Sequence, residues 1–301
     1  NCRAVKMGLV AQVAQSYFEL MALDNELAIV RRTLEARREG VRLAEIRFKG
    51  GLTSEIVFQQ AKVELAKTTT MVPDLERRIS LKESEIALLT GDFPYAVNRN
   101  VLPEEIQLPD ALPLGLPSTL LERRPDIRKA ERELMAAHAE VGLAYTNMFP
   151  RLALTATLGA ESETLRDLLK SPYSYLAGNL LSPLFAMGKN RAALKAKRTA
   201  YEGAVAEYEK TVLTAFKETH DAIINFNKIK DIYESRRQLA EASRTAVELA
   251  QLQYINGVIG YLDLLDAQRN YFDAQVSLSN AVCDKQLMII NLYKALGGGW
   301  K

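Results

Sequence analysis

The sequence predicts a mainly α-helical protein with two repeated long antiparallel coiled-coil hairpins and one β-hairpin between them. Three observations lead to this fold class. Landmark residues recur 206 positions apart, long stretches without proline carry apolar residues at helical spacing, and a long helical stretch becomes an alternating strand after Pro150. Helices and strands bury their faces with different periods, so this last change marks a boundary between two kinds of structure.

The internal repeat relates residues 34–51 to residues 240–257 without a gap. The matched landmarks are Glu35 and Glu241, Ala36 and Ala242, Arg38 and Arg244, Val41 and Val247, and Gly51 and Gly257. The same offset places Gly91 and Gly297 at equivalent helix ends. We interpret the two copies as one structural unit used twice.

Each unit is predicted to be a long helical hairpin. Residues 188–255 contain no proline, and their seam residues recur at steps of three and four positions, as in a coiled coil. The predicted seam consists of Val205, Tyr208, Val212, Phe216, Thr219, Ile223 and Phe226. A helix of about 45 residues is roughly 68 Å long, which exceeds one compact domain. The tip pairs Gly50-Gly51 and Asn256-Gly257 supply the positive φ that turns each chain back.

The return helices are expected at 54–90 and 261–296, with a kink or a break at Pro73. Between the hairpins, a helix is expected to begin properly at Arg124-Pro125. The chain therefore divides into a first helical hairpin (1–91), a proline-rich linker (92–117), a helix leading to the strands (118–149), a β-hairpin (150–186) and a second helical hairpin (187–301).

The first strand alternates between an apolar face and a small or polar face. Leu152, Leu154 and Leu158 share the apolar face, and Thr155 and Thr157 lie on the other. From these residues alone, an ordinary soluble hairpin and a membrane hairpin are equally open.

Composition argues against several function classes. A net charge of +2 makes no case for nucleic acid. His138 and His220 have no partnering cysteine or clustered carboxylate, and there is neither a glycine-rich phosphate loop nor a paired-cysteine metal motif. We therefore expect no enzyme activity, no cofactor and no metal. No run of 18 or more apolar residues occurs, so no transmembrane helix is expected.

Several long segments resemble one known family over essentially the whole chain. They are LLERRPDIRKAE at 120–131, FPRLALTATLG at 149–159, GVIGYLDLLDAQRNYFDAQ at 257–275 and NLYKALGGGW at 291–300. These segments resemble the outer membrane factors of bacterial tripartite efflux systems, the TolC and OprM-like family. The resemblance implies a homotrimer in which each protomer gives four strands to a twelve-strand β-barrel in outer-membrane lipid, while its helices form a periplasmic α-barrel.

The resemblance also implies a function and partners. The trimer would be a passive duct that exports drugs or other small molecules, received from an inner-membrane pump through a periplasmic adaptor. The alternative from another class is a soluble coiled-coil scaffold or adaptor-like interaction protein. Two features distinguish these functions: a scaffold does not need the strand pair, and a closed pseudo-six-fold barrel does need the internal repeat.

The resemblance also implies functional residues at the positions of this sequence that match the family's motifs. Leu262, Asp263 and Asp266 would form the closing rings of a periplasmic gate, with Tyr254 nearby, although position alone favours the simpler interpretation that the aspartates suit the positive end of a helix. The tips formed by Gly50, Gly51, Asn256 and Gly257 would contact the adaptor, and Leu152, Leu154 and Leu158 would face lipid. Some relatives lock the gate with an arginine and an aspartate, but those positions hold Ile259 and Val57. Apolar packing of Ile56, Val57 and Ile259 is expected instead.

The beginning of the chain departs from the family pattern. Members usually carry a signal sequence, two further helices and a first β-hairpin before the segment matching Leu9. We therefore expect an N-terminally incomplete member, in which three protomers would supply six strands rather than twelve. Members often carry an acylated cysteine near the mature start, but no apolar segment precedes Cys2, so we do not expect it to be an anchor.

Overall fold

The computed structural model describes residues 2–99, 124–161, 163, 172–182 and 185–298. Within these described ranges, five helices and two strands follow one another: α1 Cys2–Lys49, α2 Glu55–Thr90, α3 Pro125–Thr146, β1 Arg151–Ala160, β2 Pro172–Leu181, α4 Met187–Ile255 and α5 Tyr261–Ala295. The mainly α fold with one β-hairpin is confirmed. Most of the proline-rich linker and the first residues of the predicted 118–149 segment lie outside the described residues.

Helix boundaries agree closely with the glycine and proline signals. Helix α2 continues through Pro73, so the break considered there does not occur. Helix α3 begins at Pro125, where a proline is tolerated because the first helical N–H groups have no partner within the helix. The division of the chain into five functional segments stays a prediction.

The chain folds as two compact units, residues 1–125 with 215–301, and residues 126–214. In the first unit, α1 packs along both α2 and α5. Its main core consists of Leu20, Leu23, Leu27, Val30, Leu75, Ile79, Ile86 and Val97. The α1 members recur at steps of three and four residues, which is the spacing of a coiled-coil seam.

A second apolar cluster joins α4 to the end of α5. It contains Ala222, Phe226, Leu292, Ala295 and Leu296. Buried Arg124 donates to the Ala295 carbonyl at 3.0 Å and pairs with Glu218 at 2.5 Å. The carbonyl groups at a helix C-terminus have no intrahelical partner, so Arg124 satisfies one of them and fixes the end of α5.

The predicted α4 seam is wrong at Phe216, whose residue surface is 38% exposed. The buried positions in this part of α4 are Ala215, Thr219, Ala222, Phe226 and Ile229, so Thr219 and Phe226 of the predicted seam are buried as expected. They keep steps of three and four, but the series runs through small residues that allow close helix approach. A pattern built on large apolar side chains misses such positions.

In the second unit, α3 lies beside the first part of α4. The ring of His138 is 5.5 Å from that of Tyr201, and Asn190 donates to the Asn147 carbonyl at 2.9 Å. Lys197 forms an ion pair with Glu140. His138 is thus placed in an interhelical contact.

Strands β1 and β2 form an antiparallel pair of ten residues each, from Arg151 opposite Leu181 to Ala160 opposite Pro172. Residues directly opposite each other share a face of the sheet. One face therefore carries Leu152, Leu154, Ala156, Leu158, Leu176 and Leu180. These five leucines are all exposed, so the apolar face has no partner among the described residues.

Candidate functional site

The two hairpin tips end in the same hydrogen-bonded turn. At the first tip, Gly51 N–H donates to the Phe48 backbone carbonyl at 3.0 Å, and Leu52 N–H donates to the Arg47 backbone carbonyl at 2.8 Å. At the second tip, the residues 206 positions later make the same backbone bonds. Gly257 N–H donates to the Tyr254 carbonyl at 3.1 Å, and Val258 N–H donates to the Gln253 carbonyl at 2.8 Å. Gly51 and Gly257 have φ of 70° and 73°, which a side chain would strain.

The remaining tip residues take supporting positions. Asn256 donates through Nδ2 to the Leu252 carbonyl at 2.9 Å. A Cβ at Gly50 would lie 3.3 Å from the Ile46 carbonyl oxygen. Leu52 and Val258 are more than 70% exposed, so the tips present apolar surface to solvent in the protomer.

The predicted gate residues lie together in the first turns of α5. Leu262 is 60% exposed, and Asp263 and Asp266 are also exposed, whereas Leu264 and Leu265 on the other face are buried. Asp263 Oδ2 accepts a hydrogen bond from Gly260 N–H at 3.0 Å. Asp263 therefore stabilises the helix start, as the simpler interpretation expected, and its exposed position leaves a pore-lining role open.

Tyr254 is buried, and its contacts cross from one hairpin to the other. The Arg47 guanidinium on α1 lies 4.7 Å from the centre of the Tyr254 ring, and Arg47 Nη1 donates to the Tyr254 carbonyl at 3.4 Å. The Tyr261 ring lies 5.8 Å away, and burial followed by the charge of Tyr254 raises the pKa of Tyr261. Sequence reasoning placed Tyr254 at the gate but missed Arg47.

The expected apolar packing near the tips is wrong for Ile56, which is 65% exposed. Val57 and Ile259 are half-buried. These three residues lie close to the hairpin tips, where few neighbouring atoms are available to cover a side chain. Polar contacts set back from the tips take the place of this packing.

The most buried charge near the tips is Glu64 on α2, which is 4% exposed. Its carboxylate accepts hydrogen bonds from Arg37 of α1 at 2.8 Å, Lys67 of α2 at 3.0 Å and Arg269 of α5 at 2.6 Å. Arg37 also donates to the Glu64 backbone carbonyl at 2.8 Å. Three helices thus meet at one carboxylate.

The sequence contained a signal for this group. Glu64 falls between Ala61 and Thr68, at steps of three and four on the buried face of α2. A carboxylate on a helix seam requires a cationic partner, because an unpaired buried charge is strongly destabilising. Its long-range partners could not be read from local spacing.

The cations around Glu64 determine its protonation. Burial acts to raise the pKa of Glu64, but hydrogen bonds from Arg269 and Lys67 and the charge of Arg37 outweigh it and lower the pKa to about 2. The carboxylate is therefore ionised throughout the physiological range.

A cavity of about 320 Å³ lies beside this group in the first unit. Its walls include Arg37, Glu64, Tyr254, Tyr261 and Leu265. Arg37 Nε is buried without a hydrogen-bond partner. Packing between the hairpins therefore leaves space beside the Glu64 carboxylate.

The described residues contain few other groups that could react, bind a metal or cross a membrane. Buried Cys283 donates through Sγ to the Phe18 carbonyl at 3.6 Å, and burial raises its pKa to about 11, so it is not a reactive thiolate. Over the described ranges, no group of three or more His, Cys, Asp or Glu residues is arranged to hold a metal ion. No helix within those ranges combines the length and hydropathy needed to cross a membrane.

Glu64 should make stability depend on pH in a defined window. Its pKa falls from 4.5 to about 2 on folding, so its contribution is complete above about pH 4.5 and is lost as the pH falls towards 2. Compared with Glu64→Gln, the parent should be more stable at pH 7 by on the order of 3 kcal/mol, and this difference should shrink below pH 4. Urea unfolding of both proteins across pH 2.5–7 measures it. A difference that does not change with pH would contradict the assignment.

Comparison with known proteins identifies the family. The sequence profile of the outer membrane efflux protein family matches residues 1–92 and 116–298. The outer membrane protein OprJ of Pseudomonas aeruginosa is 34% identical over 308 residues, covering 99% of this chain and 63% of OprJ. The toluene efflux pump outer membrane protein TtgI of Pseudomonas putida is 34% identical, covering 99% of this chain and 64% of TtgI. The chain therefore spans less than two thirds of these curated relatives.

Solved structures agree with the sequence comparison. The outer-membrane channel OprN is 30% identical and superposes with a TM-score of 0.86, covering 99% of this chain and 68% of the OprN chain. The repeated helical hairpins and the intervening β-hairpin are thus shared with a protein of known structure. The chain belongs to the outer membrane efflux protein family.

Proposed function

We propose that this chain is part of the outer-membrane channel of a tripartite efflux system. In this role, three copies form a passive duct that reaches into the periplasm. Small molecules enter it from an inner-membrane pump through a periplasmic adaptor. Family membership and the efflux-pump names of relatives such as TtgI support the proposal.

The observation that carries the proposal is the unpartnered apolar face of the β-hairpin. Leu152, Leu154 and Leu158 of β1 are 67–85% exposed, and β2 adds Leu176 and Leu180 at 78% and 70%. An apolar face of this kind is unfavourable in water but stable in lipid. A soluble coiled-coil scaffold, the alternative function, would gain nothing from it.

The helical part fits the length that a duct requires. Helix α1 contains 48 residues and is therefore roughly 70 Å long. Its buried residues form a narrow seam, and many of its other side chains are charged and exposed. Such helices can line up side by side as the wall of a water-filled tube.

The gate is proposed at the start of α5. In a trimer, exposed Leu262, Asp263 and Asp266 would each occur three times around the axis. An apolar ring narrows and dewets a pore, and carboxylate rings favour cations. The tips around Gly51 and Gly257 are proposed to bind the adaptor.

Opposite faces of β1 offer a test of the membrane role with a matched control. In the full-length protein, Leu154→Arg should block assembly of membrane-inserted trimer, because an arginine facing lipid costs about 2–4 kcal/mol in each copy. Thr155→Arg, one residue along on the other face, should be tolerated. Membrane fractionation with unheated gel electrophoresis measures both. Equal behaviour of the two variants would favour the soluble scaffold.

The tips can be tested without straining the backbone. Asparagine tolerates positive φ, so Gly51→Asn with Gly257→Asn adds side chains while keeping both turns. We expect weaker adaptor binding and reduced efflux at normal expression, because the added side chains obstruct the contact. Gly91→Asn, which has φ of 83° at the other end of α2, is the control and should leave efflux unchanged. Full efflux in the double variant would rule out the tips as the contact.

The proposed gate should respond to charge and to size separately. Asp263→Asn with Asp266→Asn removes the charge while an amide oxygen can still accept from Gly260 N–H, so cation selectivity and divalent-cation block should weaken. Leu262→Ala should raise the resting leak by widening the apolar ring. Single-channel recordings of the full-length trimer in planar bilayers measure both. If the double variant keeps the parent's selectivity and block, the carboxylates do not line the pore.

A further inference from the structure

The polar face of the β-hairpin carries two tyrosines. Tyr173 lies opposite Gly159 in the strand register, and Tyr175 lies opposite Thr157. Residues directly opposite each other share a face of the sheet, and successive residues of a strand alternate between faces. Both tyrosines therefore lie on the face that does not carry Leu158.

The two tyrosines lie near the end of the hairpin that is farthest from the connected helices. Strand β1 begins at Arg151, after α3, and β2 ends at Leu181, before α4. The Gly159–Tyr173 pair lies eight residues along β1 from Arg151, which corresponds to roughly 27 Å at about 3.4 Å per residue. In a duct whose helices reach into the periplasm, this end is the outer mouth.

The face on which the tyrosines lie decides between two roles. Tyrosines on the lipid side of membrane strands mark the boundary between lipid and water. That role requires the face of Leu158 and Leu176, which the proposed function assigns to lipid. Tyr173 and Tyr175 lie on the other face, so in such a duct their side chains point into the lumen.

The tyrosines are the bulkiest side chains on this face between residues 153–159 of β1 and 173–179 of β2. Tyr173 is 45% exposed and Tyr175 is 58% exposed, so both rings keep a free surface within the protomer. Rings that stand above smaller neighbours narrow a lumen more than any other residue of this stretch. Those neighbours on the same face are Ala153, Thr155, Thr157, Gly159, Ala177 and Asn179.

Gly159 gives the Tyr173 ring its place against β1. A Cβ at this position would lie 2.9 Å from the ring atoms Cε1 and Cζ and 3.0 Å from the hydroxyl oxygen. Carbon atoms in contact are about 3.5–4.0 Å apart, so a side chain at Gly159 would displace the ring. The Tyr173 ring therefore packs on the backbone of β1.

We propose that Tyr173 and Tyr175 form an aromatic constriction at the outer mouth of the duct, where organic cations bind transiently as they leave. The constriction rests on the proposed function, because it is assembled only when three copies surround one lumen. The π face of a tyrosine ring attracts cations, and at an exposed site this attraction is weak enough for release. Residues 153–159 and 173–179, all of which the structure describes, include no acidic residue, so the rings are the groups there that attract a cation.

Recordings of the full-length trimer in planar bilayers test the constriction with tetraethylammonium, an organic cation, added on the outer side. Tyr173→Ala with Tyr175→Ala should raise the single-channel conductance and weaken the block by tetraethylammonium about fivefold, the factor that one cation–π contact at an exposed site supplies. Tyr173→Phe with Tyr175→Phe keeps the rings and should retain the block. Leu158→Ala with Leu176→Ala, at the same depth on the other face, is the control and should match the parent.

Two glycines give a second test that removes no ring. Gly159→Ala should displace the Tyr173 ring into the lumen and lower the conductance, and this effect should vanish in combination with Tyr173→Ala. Gly178→Ala on the leucine face is the control and should leave the conductance unchanged. The atom nearest to its Cβ would be Leu154 Cδ2 at 3.5 Å, which is an ordinary contact.

The outcomes separate the constriction from the duct. Parental conductance and block in the double alanine variant would overturn the constriction and leave the duct intact, and so would equal changes in the leucine control. If the parent forms no membrane-inserted trimer, the proposed duct is wrong and the constriction with it.

Discussion

The seam of α1 is the interaction on which the rest of the first unit depends. Leu20, Leu23, Leu27 and Val30 pack against Leu75 and Ile79 of α2, and Phe272 of α5 packs against the same cluster. Each such side chain contributes about 1.5–3 kcal/mol on burial, so the seam outweighs any single polar contact in the unit. A helix of 48 residues cannot form a core of its own, and α1 therefore positions both return helices.

Polar contacts fix the position of the helices near the hairpin tips, which the apolar seam does not determine. Apolar packing along a coiled coil fixes which helices are neighbours but tolerates small shifts near an end, particularly beside a cavity. Near the tips, Arg47 holds Tyr254 and Arg269 holds Glu64, and both contacts cross between hairpins. Because each contributes only a few kcal/mol, these contacts can break while the seam persists. This difference in strength is compatible with the proposed duct, in which the wall would stay stable while the end moves.

Much of this architecture could be predicted from local signals. Gly51, Gly91, Gly257 and Gly297 mark the turns and helix ends because each adopts a positive φ that other residues avoid. The buried position of Ala215, the partners of Glu64 and the Arg47–Tyr254 contact could not be predicted. Small seam residues carry little hydropathy signal, and the Arg47–Tyr254 and Arg269–Glu64 partners lie 207 and 205 residues apart. Tertiary pairing at that distance leaves no trace in spacing.

The proposed membrane role requires the apolar face of the β-hairpin to meet lipid. Spin labels at Leu158→Cys and Thr157→Cys, on opposite faces of β1, test it in the full-length protein reconstituted in liposomes. Power-saturation spectroscopy then compares relaxation by oxygen, which concentrates in lipid, with relaxation by a water-soluble nickel chelate. We expect relaxation by oxygen to dominate at Leu158 and relaxation by the nickel chelate to dominate at Thr157. Equal exposure of both labels to the nickel chelate would place the hairpin in water and contradict the proposed membrane role.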